Sequence, residues 1–286
     1  MAVTVRTTQT NTLNTNGTSF TIPKPTGLAA GDIMVALIRF EHGSAGTIAT
    51  PTGWSAPQAQ NNFATDSSAA KVFVKIADAG DTAAANFTFS SDTSARRQGI
   101  LMAFSNVGTT DVSNSGTTTD GSASSSGTTP NNKDFFLILV AGKGNGACSG
   151  MTAASYAIAT DNPTWTELAD ISDNNAGGNG FGISAAYASR SQQTATGNAT
   201  STITPNSGSI VGSALFLVGL TEYLIISPSV ITSTATVLAP TVTGGATVSP
   251  STITATATVL TPEAGQADWS AKKKTSGASW SSQSKS

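Results

Sequence analysis

The sequence predicts an all-β protein: a jelly-roll-like β-sandwich built from two half-repeats, followed by an extended β-rich C-terminal arm. Three observations predict it. Thr-rich segments that alternate along the chain, such as ITSTATV and ITATATV, favour strands over helices. The runs DIMVALIRF and DFFLILVAG are dense in apolar residues and call for a packed core, which disordered chains lack. Outside these runs no stretch sustains the i, i+3, i+4, i+7 spacing of an amphipathic helix. Of the 286 residues, 38% are hydrophobic and only 10% charged, where a soluble domain usually carries about a quarter charged residues. Thr, Ser, Ala, Gly and Asn fill the difference.

The body, residues 1–222, reads as one ordered series stated twice. The first half, about 1–110, runs GDIMVALIRF, TPTGWSAPQ, KVFVKIADAGD, NFTFSS and QGILMAFSNVG. The second half, about 130–222, runs KDFFLILVAGK, DNPTWTELAD, GISAAYASRS, ATSTITP and GSALFLVGL. Each is a buried strand, a turn ending in Trp, an alternating strand, a Thr-rich strand and an apolar strand. Asp32 thus corresponds to Asp134, and Trp54 to Trp165. GLAAGD supplies residues that tolerate a tight turn before the first core strand. Pro51 and Gly53 form a turn that sets Trp54 on the edge of the core, and NPTW does the same for Trp165. Asp32, Trp54, Asp134 and Trp165 are therefore read as structural turn anchors, with carbohydrate-stacking platforms as the functional alternative for the two tryptophans. Each half alone has too few strands to bury both faces, so the halves are expected to build one sandwich together. The Ser/Thr/Gly-rich stretch 111–132 is expected to be a surface crossover loop.

Several kinds of chemistry lack their residues. The formal charge of −2 offers no basic face for nucleic acid. Cys148 is the single cysteine, so neither an intrachain disulfide nor a thiol zinc site is expected, and no metal or cofactor is assigned. No run approaches the roughly 18 apolar residues of a membrane span, and the first residues lack the apolar core of a signal peptide. His42 is the only histidine. Glu41 beside it points to the opposite face of a strand and cannot orient it toward Ser44. Neither G-x-S-x-G nor H-E-x-x-H occurs, and no catalytic residue is assigned. Asp161, Glu167, Asp170 and Asp173 surround Trp165 in sequence, as a sugar cleft would begin, although solubilising loop charges explain them more simply. The stretch 170–178 lacks the ordered positions of an EF-hand. GKGNG, 142–146, misses the order of a phosphate loop and reads as a strand-end turn.

The order of GD and an apolar strand, P-x-G-W, an alternating strand and an apolar strand, followed by a second copy, resembles a β-sandwich domain common in tailed-bacteriophage virion proteins. Related domains occur in some bacterial surface proteins. The resemblance covers about residues 1–222. The second copy departs from it at Lys133, which replaces the Gly, and in lacking a Gly before Trp165.

From 223 onward the composition shifts. SPSVITSTATVLAP (227–240) and SPSTITATATVLTP (249–262) agree at eleven of fourteen positions at an offset of 22. WSAKKKT at Trp269 and WSSQSKS at Trp280 repeat Trp, Ser and Lys at an offset of 11. Repetition suits a docking or spacing element, so 223–286 is read as an assembly arm whose docking residues are Trp269, Lys272, Lys273, Lys274, Trp280 and Lys285. A small hairpin with stacked tryptophans, and a solvated lysine-rich end, are the plainer readings. Ser-Pro and W-S-x-x-x-K units of this kind also resemble the ends of phage structural proteins. The resemblance implies a non-enzymatic, surface-exposed virion protein, made in the host cytoplasm, tail- or fibre-associated and in contact with the host. Capsid decoration is the alternative and a glycan-binding surface module the second. Its implied partners are other virion proteins, further copies of itself and a host-surface glycan, with no nucleic acid and no membrane insertion.

Overall fold

The computed structural model describes residues 2–41, 46–63, 68–118, 122–124, 135–149, 152–160, 163–173, 180–190, 196–205 and 207–222. The chain divides into a body, Met1–Pro228, and an arm, Ser229–Ser286. The arm, with Trp269, Lys272, Lys273, Lys274, Trp280 and Lys285, lies outside the described residues, as does Asp134.

The described chain is nearly all β and its sheets are antiparallel. In order come β1 (Thr4–Pro23), β2 (Ile33–Glu41), β3 (Asn61–Asn62), β4 (Ser68–Ile76), the short helix α1 (Ala79–Ala83) and β5 (Asn86–Ser105). Then follow β6 (Val107–Thr118), β7 (Ser122–Ser124), β8 (Phe135–Ser149), β9 (Thr152–Ile158), β10 (Thr166–Asp173), β11 (Phe181–Ser189), β12 (Ala199–Thr204) and β13 (Ser207–Glu222). The first sheet is ordered β1-β5-β2-β4-β3, the second β10-β11-β8-β13-β6 and a third β7-β12-β9.

One apolar cluster joins the first two sheets: Val35 and Leu37 of β2, Ile100 and Met102 of β5, Leu137 and Leu139 of β8, and Phe216 and Val218 of β13 are all buried in it. The alternate residues of the same strands face outward into two further clusters. Met34, Ala36 and Ile38 pack under Phe20, Ile22, Phe87 and Phe89, while Phe136, Ile138 and Val140 pack under Ile158, Ala199 and Ile203. The period of two along each strand thus buries both faces, which is why β2 and β8 read as continuous apolar runs.

The outer covers are built differently. Over the first sheet the cover is made by the far ends of β1 and β5, paired from Ser19–Ser90 to Pro23–Asn86 after register shifts near Gly17. Arg97 holds that bend by donating to the Thr15 carbonyl at 2.7 Å and to the Ser19 carbonyl, lying where a Gly17 side chain would be. Over the second sheet the cover is the separate sheet β7-β12-β9.

The central strands of the two halves pair in the same register. β2 meets β4 from Ile33–Ile76 to Glu41–Ser68, and β8 meets β11 from Phe135–Ser189 to Lys143–Phe181. Adding 102 to the β2 numbers and 113 to the β4 numbers converts every pair of the first set into one of the second. The pairs of β2 with β5, Ile33–Phe104 to Glu41–Arg96, become those of β8 with β13, Phe135–Leu220 to Lys143–Gly212, by adding 102 and 116.

Four expectations need correction. The stretch 111–132 is not wholly a loop: β6 runs to Thr118 as an edge of the second sheet and β7 follows, so strands of the second sheet begin at Val107 rather than near 130. Thr and Ser hydroxyls tolerate an exposed edge, so low hydrophobicity there did not mean absence of pairing. GKGNG is no turn but lies inside β8, where glycine at 142 leaves room for Ile203 of the cover. The segment read as KVFVKIADAGD leaves the strand at Ile76, because Asp78 and Asp81 cap α1 by accepting each other's backbone N–H at 2.9 Å. Finally, the first sheet uses β1–β5 and the second later strands only, so the sheets do not exchange successive strands as a jelly-roll-like arrangement would.

Candidate functional site

The Asp32 end of the body is organised by turns. Gly27 and Gly31 adopt positive φ, of 77° and 90°, as the chain turns into β2. Buried Asp32 accepts from the Ala29 backbone N–H at 2.9 Å and pairs with Arg6 Nε at 3.1 Å. Its own backbone carbonyl accepts from Ala77 N–H at 2.8 Å, tying the turn to the end of β4. Trp54 follows Gly53, at φ 79°, and its ring meets Phe87 and Phe89 edge-on at 5.8 and 5.5 Å. Trp165 lies 6.2 Å from the ring of Tyr156 on β9. Burial first of all pushes the Tyr156 hydroxyl far above its ordinary pKa, against the opposing effect of its hydrogen bond with Ser184.

The two tryptophans are equivalent by register. Ser55, after Trp54, bridges Val74 of β4, and Thr166, after Trp165, pairs with Tyr187 of β11. Val74 and Tyr187 are themselves related by the β4-to-β11 shift of 113. Trp54 lines one cleft, and the chain neighbours of Trp165, though not Trp165 itself, line another. That of about 560 Å³ is lined by Gly53, Trp54, Ser55, Lys75, Ile76 and Thr110 among others, with Ile76 55% exposed. That of about 490 Å³ is lined by Pro163, Thr164, Thr166, Tyr187, Ser189 and Arg190 among others. Equivalent backbone therefore frames an apolar rim in one half and a hydroxyl-rich one in the other.

At the opposite end of the space between the sheets the apolar cluster gives way to charge. Arg39 of β2, fully buried, donates to Ser68 Oγ at 2.9 Å and lies 4.5 Å over the Phe181 ring. Arg96 of β5 lies 5.3 Å over the same ring and pairs with Glu41 at 2.7 Å and Asp173 at 3.6 Å. Gln98 donates to the Phe181 carbonyl at 3.4 Å. Burial raises the Asp173 pKa, and Arg96 and then Arg39 oppose that shift without cancelling it.

Sequence reasoning missed this cluster. Arg39 and Arg96 sat inside or beside apolar strands, and the period of two placed them on the Leu37 face; hidden were their partners in the other half, Phe181 and Asp173. Of the carboxylates grouped around Trp165, Glu167, Asp170 and Asp173 are not loop charges but stand along β10. Glu167 is exposed, Asp170 half-buried, and Asp173 lies buried at the far end from Thr166, about 23 Å away along the strand. Glu41 is engaged by Arg96; His42, Ser44 and Asp161 lie outside the described residues. Among the described residues no group of three His, Cys, Asp or Glu gathers to hold a metal, and no helix is long and apolar enough to cross a membrane.

Compared with known proteins, the chain matches no family model, no curated protein and no solved structure.

Proposed function

We propose that the body is a β-sandwich of two internal copies and that the chain is a non-enzymatic structural protein exposed on a phage particle, anchored through its C-terminal repeats. The observation that carries the duplication is the shared register of the two sets of central strands, with Trp54 and Trp165 at equivalent positions. Any two regular antiparallel ladders interconvert by constant offsets, so the weight lies with the tryptophans. Matching β2 to β8 through Asp32 and Asp134 requires a β4-to-β11 shift of 113. Matching Ser55–Val74 to Thr166–Tyr187 through Trp54 and Trp165 requires the same 113. Duplication in the order GD, turn-Trp and apolar strand is in turn what the resemblance to phage virion domains rests on. The many Thr and Ser hydroxyls supply the polar, hydrogen-bonding surface that the few charged residues do not.

The tail- or fibre-associated placement is the first form of the reading and capsid decoration the second. Gold labelling of purified particles with an antibody against residues 1–222 separates them. Label at the tail supports host contact; label over the head supports decoration; bare particles overturn the virion reading. The cleft lined by Trp54 favours glycan binding as a further reading, tested by screening the purified chain on a glycan array and repeating any hit with Trp54→Ala.

A further inference from the structure

The two five-stranded sheets end in four edge strands: β1 and β3, and β6 and β10. An edge strand offers a row of unpaired backbone groups to any other strand, and proteins guard it with shortness or charge. β3 is only two residues long. β10 carries Glu167, Asp170 and Asp173, and β6 carries Asp111. β1 has none of these guards between Arg6 and Lys24, a stretch free of charged residues. Within it Thr8–Leu13 pairs with β5 from Met102 to Arg97 without a register shift, although shifts interrupt the strand on either side. Among the described residues no strand pairs with the outer side of β1.

We infer that this edge is a self-association surface, where β1 of one copy pairs antiparallel with β1 of a second copy about a two-fold axis through Thr10. The occupant follows from the side chains. Such a pairing sets Thr10 against Thr10, Thr8 against Thr12 and Gln9 against Asn11. Hydroxyl meets hydroxyl on one face, a favourable cross-strand pair, and on the other Gln9 meets Asn11, whose amide N–H already donates to the Thr21 carbonyl at 2.6 Å. No charge opposes a like charge. The same operation centred on Asp170 of β10 sets Asp170 against Asp170 and Glu167 against Asp173, and centred on Asp111 of β6 it sets that carboxylate against its copy. A two-fold contact also closes on itself, as most homo-oligomers do. The inference rests on the many-copy element of the proposed function and gives it a surface.

The test uses the full chain in sedimentation equilibrium over a wide concentration range. Wild type is expected to dimerise. Thr10→Lys and Thr10→Glu, at an exposed position, are each expected to weaken dimerisation roughly tenfold or more by setting like charges face to face. Mixing the two variants is expected to restore the dimer. Amide exchange of wild-type Thr8–Thr12 should slow as concentration rises, a readout that needs no variant. Dimers that persist unchanged in Thr10→Lys, or variants that stay apart when mixed, overturn the β1 edge while leaving self-association standing. A wild type that stays monomeric throughout, with no concentration-dependent protection, overturns the edge and the many-copy reading together. Virion location, read by gold label, is unaffected by any of these outcomes.

Discussion

The two halves of the body share a backbone plan and differ in what hangs from it. β2, β4 and β5 pair as β8, β11 and β13 do, yet at the charged end Arg39 stands where the second half has Ala141, Arg96 where it has Gly212, and Phe63 where it has Asp173. Large cations on one side thus meet an aromatic ring, a carboxylate and small residues on the other. Register is held by backbone hydrogen bonds and the two-residue period, so it survives side-chain change. The facing surfaces are complementary, with the cations of the first sheet set against the ring of Phe181 and the carboxylate of Asp173 on the second. A pair of arginines opposite a second such pair would bury like charges, which is strongly unfavourable.

Removing a side chain from the asymmetric end should therefore cost most. Arg96→Leu takes from Glu41 its paired cation and from Asp173 the stronger of its two cations, Arg39 remaining. The variant is expected to lose about 3 kcal/mol of stability, measured by urea unfolding. A loss below roughly 1 kcal/mol would mean that the charged end does not hold the halves together. The tryptophans extend the comparison to the Asp32 end. Trp54, against two phenylalanine rings, should cost about 3 kcal/mol when changed to Ala. Trp165, half-buried beside Tyr156 and on the third cluster, should cost roughly half as much under the same change. Equal losses would erase the difference drawn between the two covers.

The glycines that floor the covers give a smaller contrast. A Cβ at Gly99 would overlap Ile22 and Phe20 and press on Ile38, whereas one at Gly142 overlaps only Ile203. Gly99→Ala is accordingly expected to cost about 2 kcal/mol and Gly142→Ala about 1 kcal/mol, read from shifts in thermal midpoint. The reverse order would show that the β7-β12-β9 cover yields less readily than the β1–β5 cover.

The smallest effects are those of pH. Asp173 has a folded-state pKa above its ordinary value, so the folded chain binds the proton more tightly than the unfolded one. Its contribution makes stability fall as pH rises through the interval between the two values, beginning near the usual carboxylate range. Lys75 behaves in the complementary way in the first half. Burial works to lower its pKa, but the neighbouring Asp81, at 2.6 Å, and Asp78 together outweigh burial and raise it. Its stabilisation is complete below the ordinary lysine value and is lost as pH rises through the raised one. Stability measured against pH should lose the falling part of its acid-side profile in Asp173→Asn, keep the rise due to Asp78, whose pKa the Asp81 backbone N–H lowers, and keep its alkaline-side slope. If the falling part persists in that variant, another group carries it.

Much of the body was legible before any coordinates. The apolar runs at 33–41 and 135–141 are β2 and the first part of β8, and the matched order of segments pairs Trp54 with Trp165 as the register does. Segments with weaker patterns were misread. β6 and β7 carry Ser, Thr and Gly on a sheet edge and beneath a loop-like composition, because an edge strand needs no apolar alternation to satisfy its backbone. The charged cluster was invisible because its members come from β2, β5, β10 and β11, more than a hundred residues apart at the extremes, and nothing local names a partner.

By itself the sequence determined that this chain is built of strands, which of them are buried on both faces, and where its turns place Asp32 and Trp54. Those properties depend on neighbours one to four residues away: hydrophobic periodicity, β-branched side chains and glycines at positive φ. Only the tertiary structure decided which strands stand side by side, that the two covers are made in different ways, and that Arg39 and Arg96 close over Phe181 and Asp173. These are contacts across the space between two sheets. Their free energy comes from desolvation and charge pairing that exist only once distant segments have been brought together.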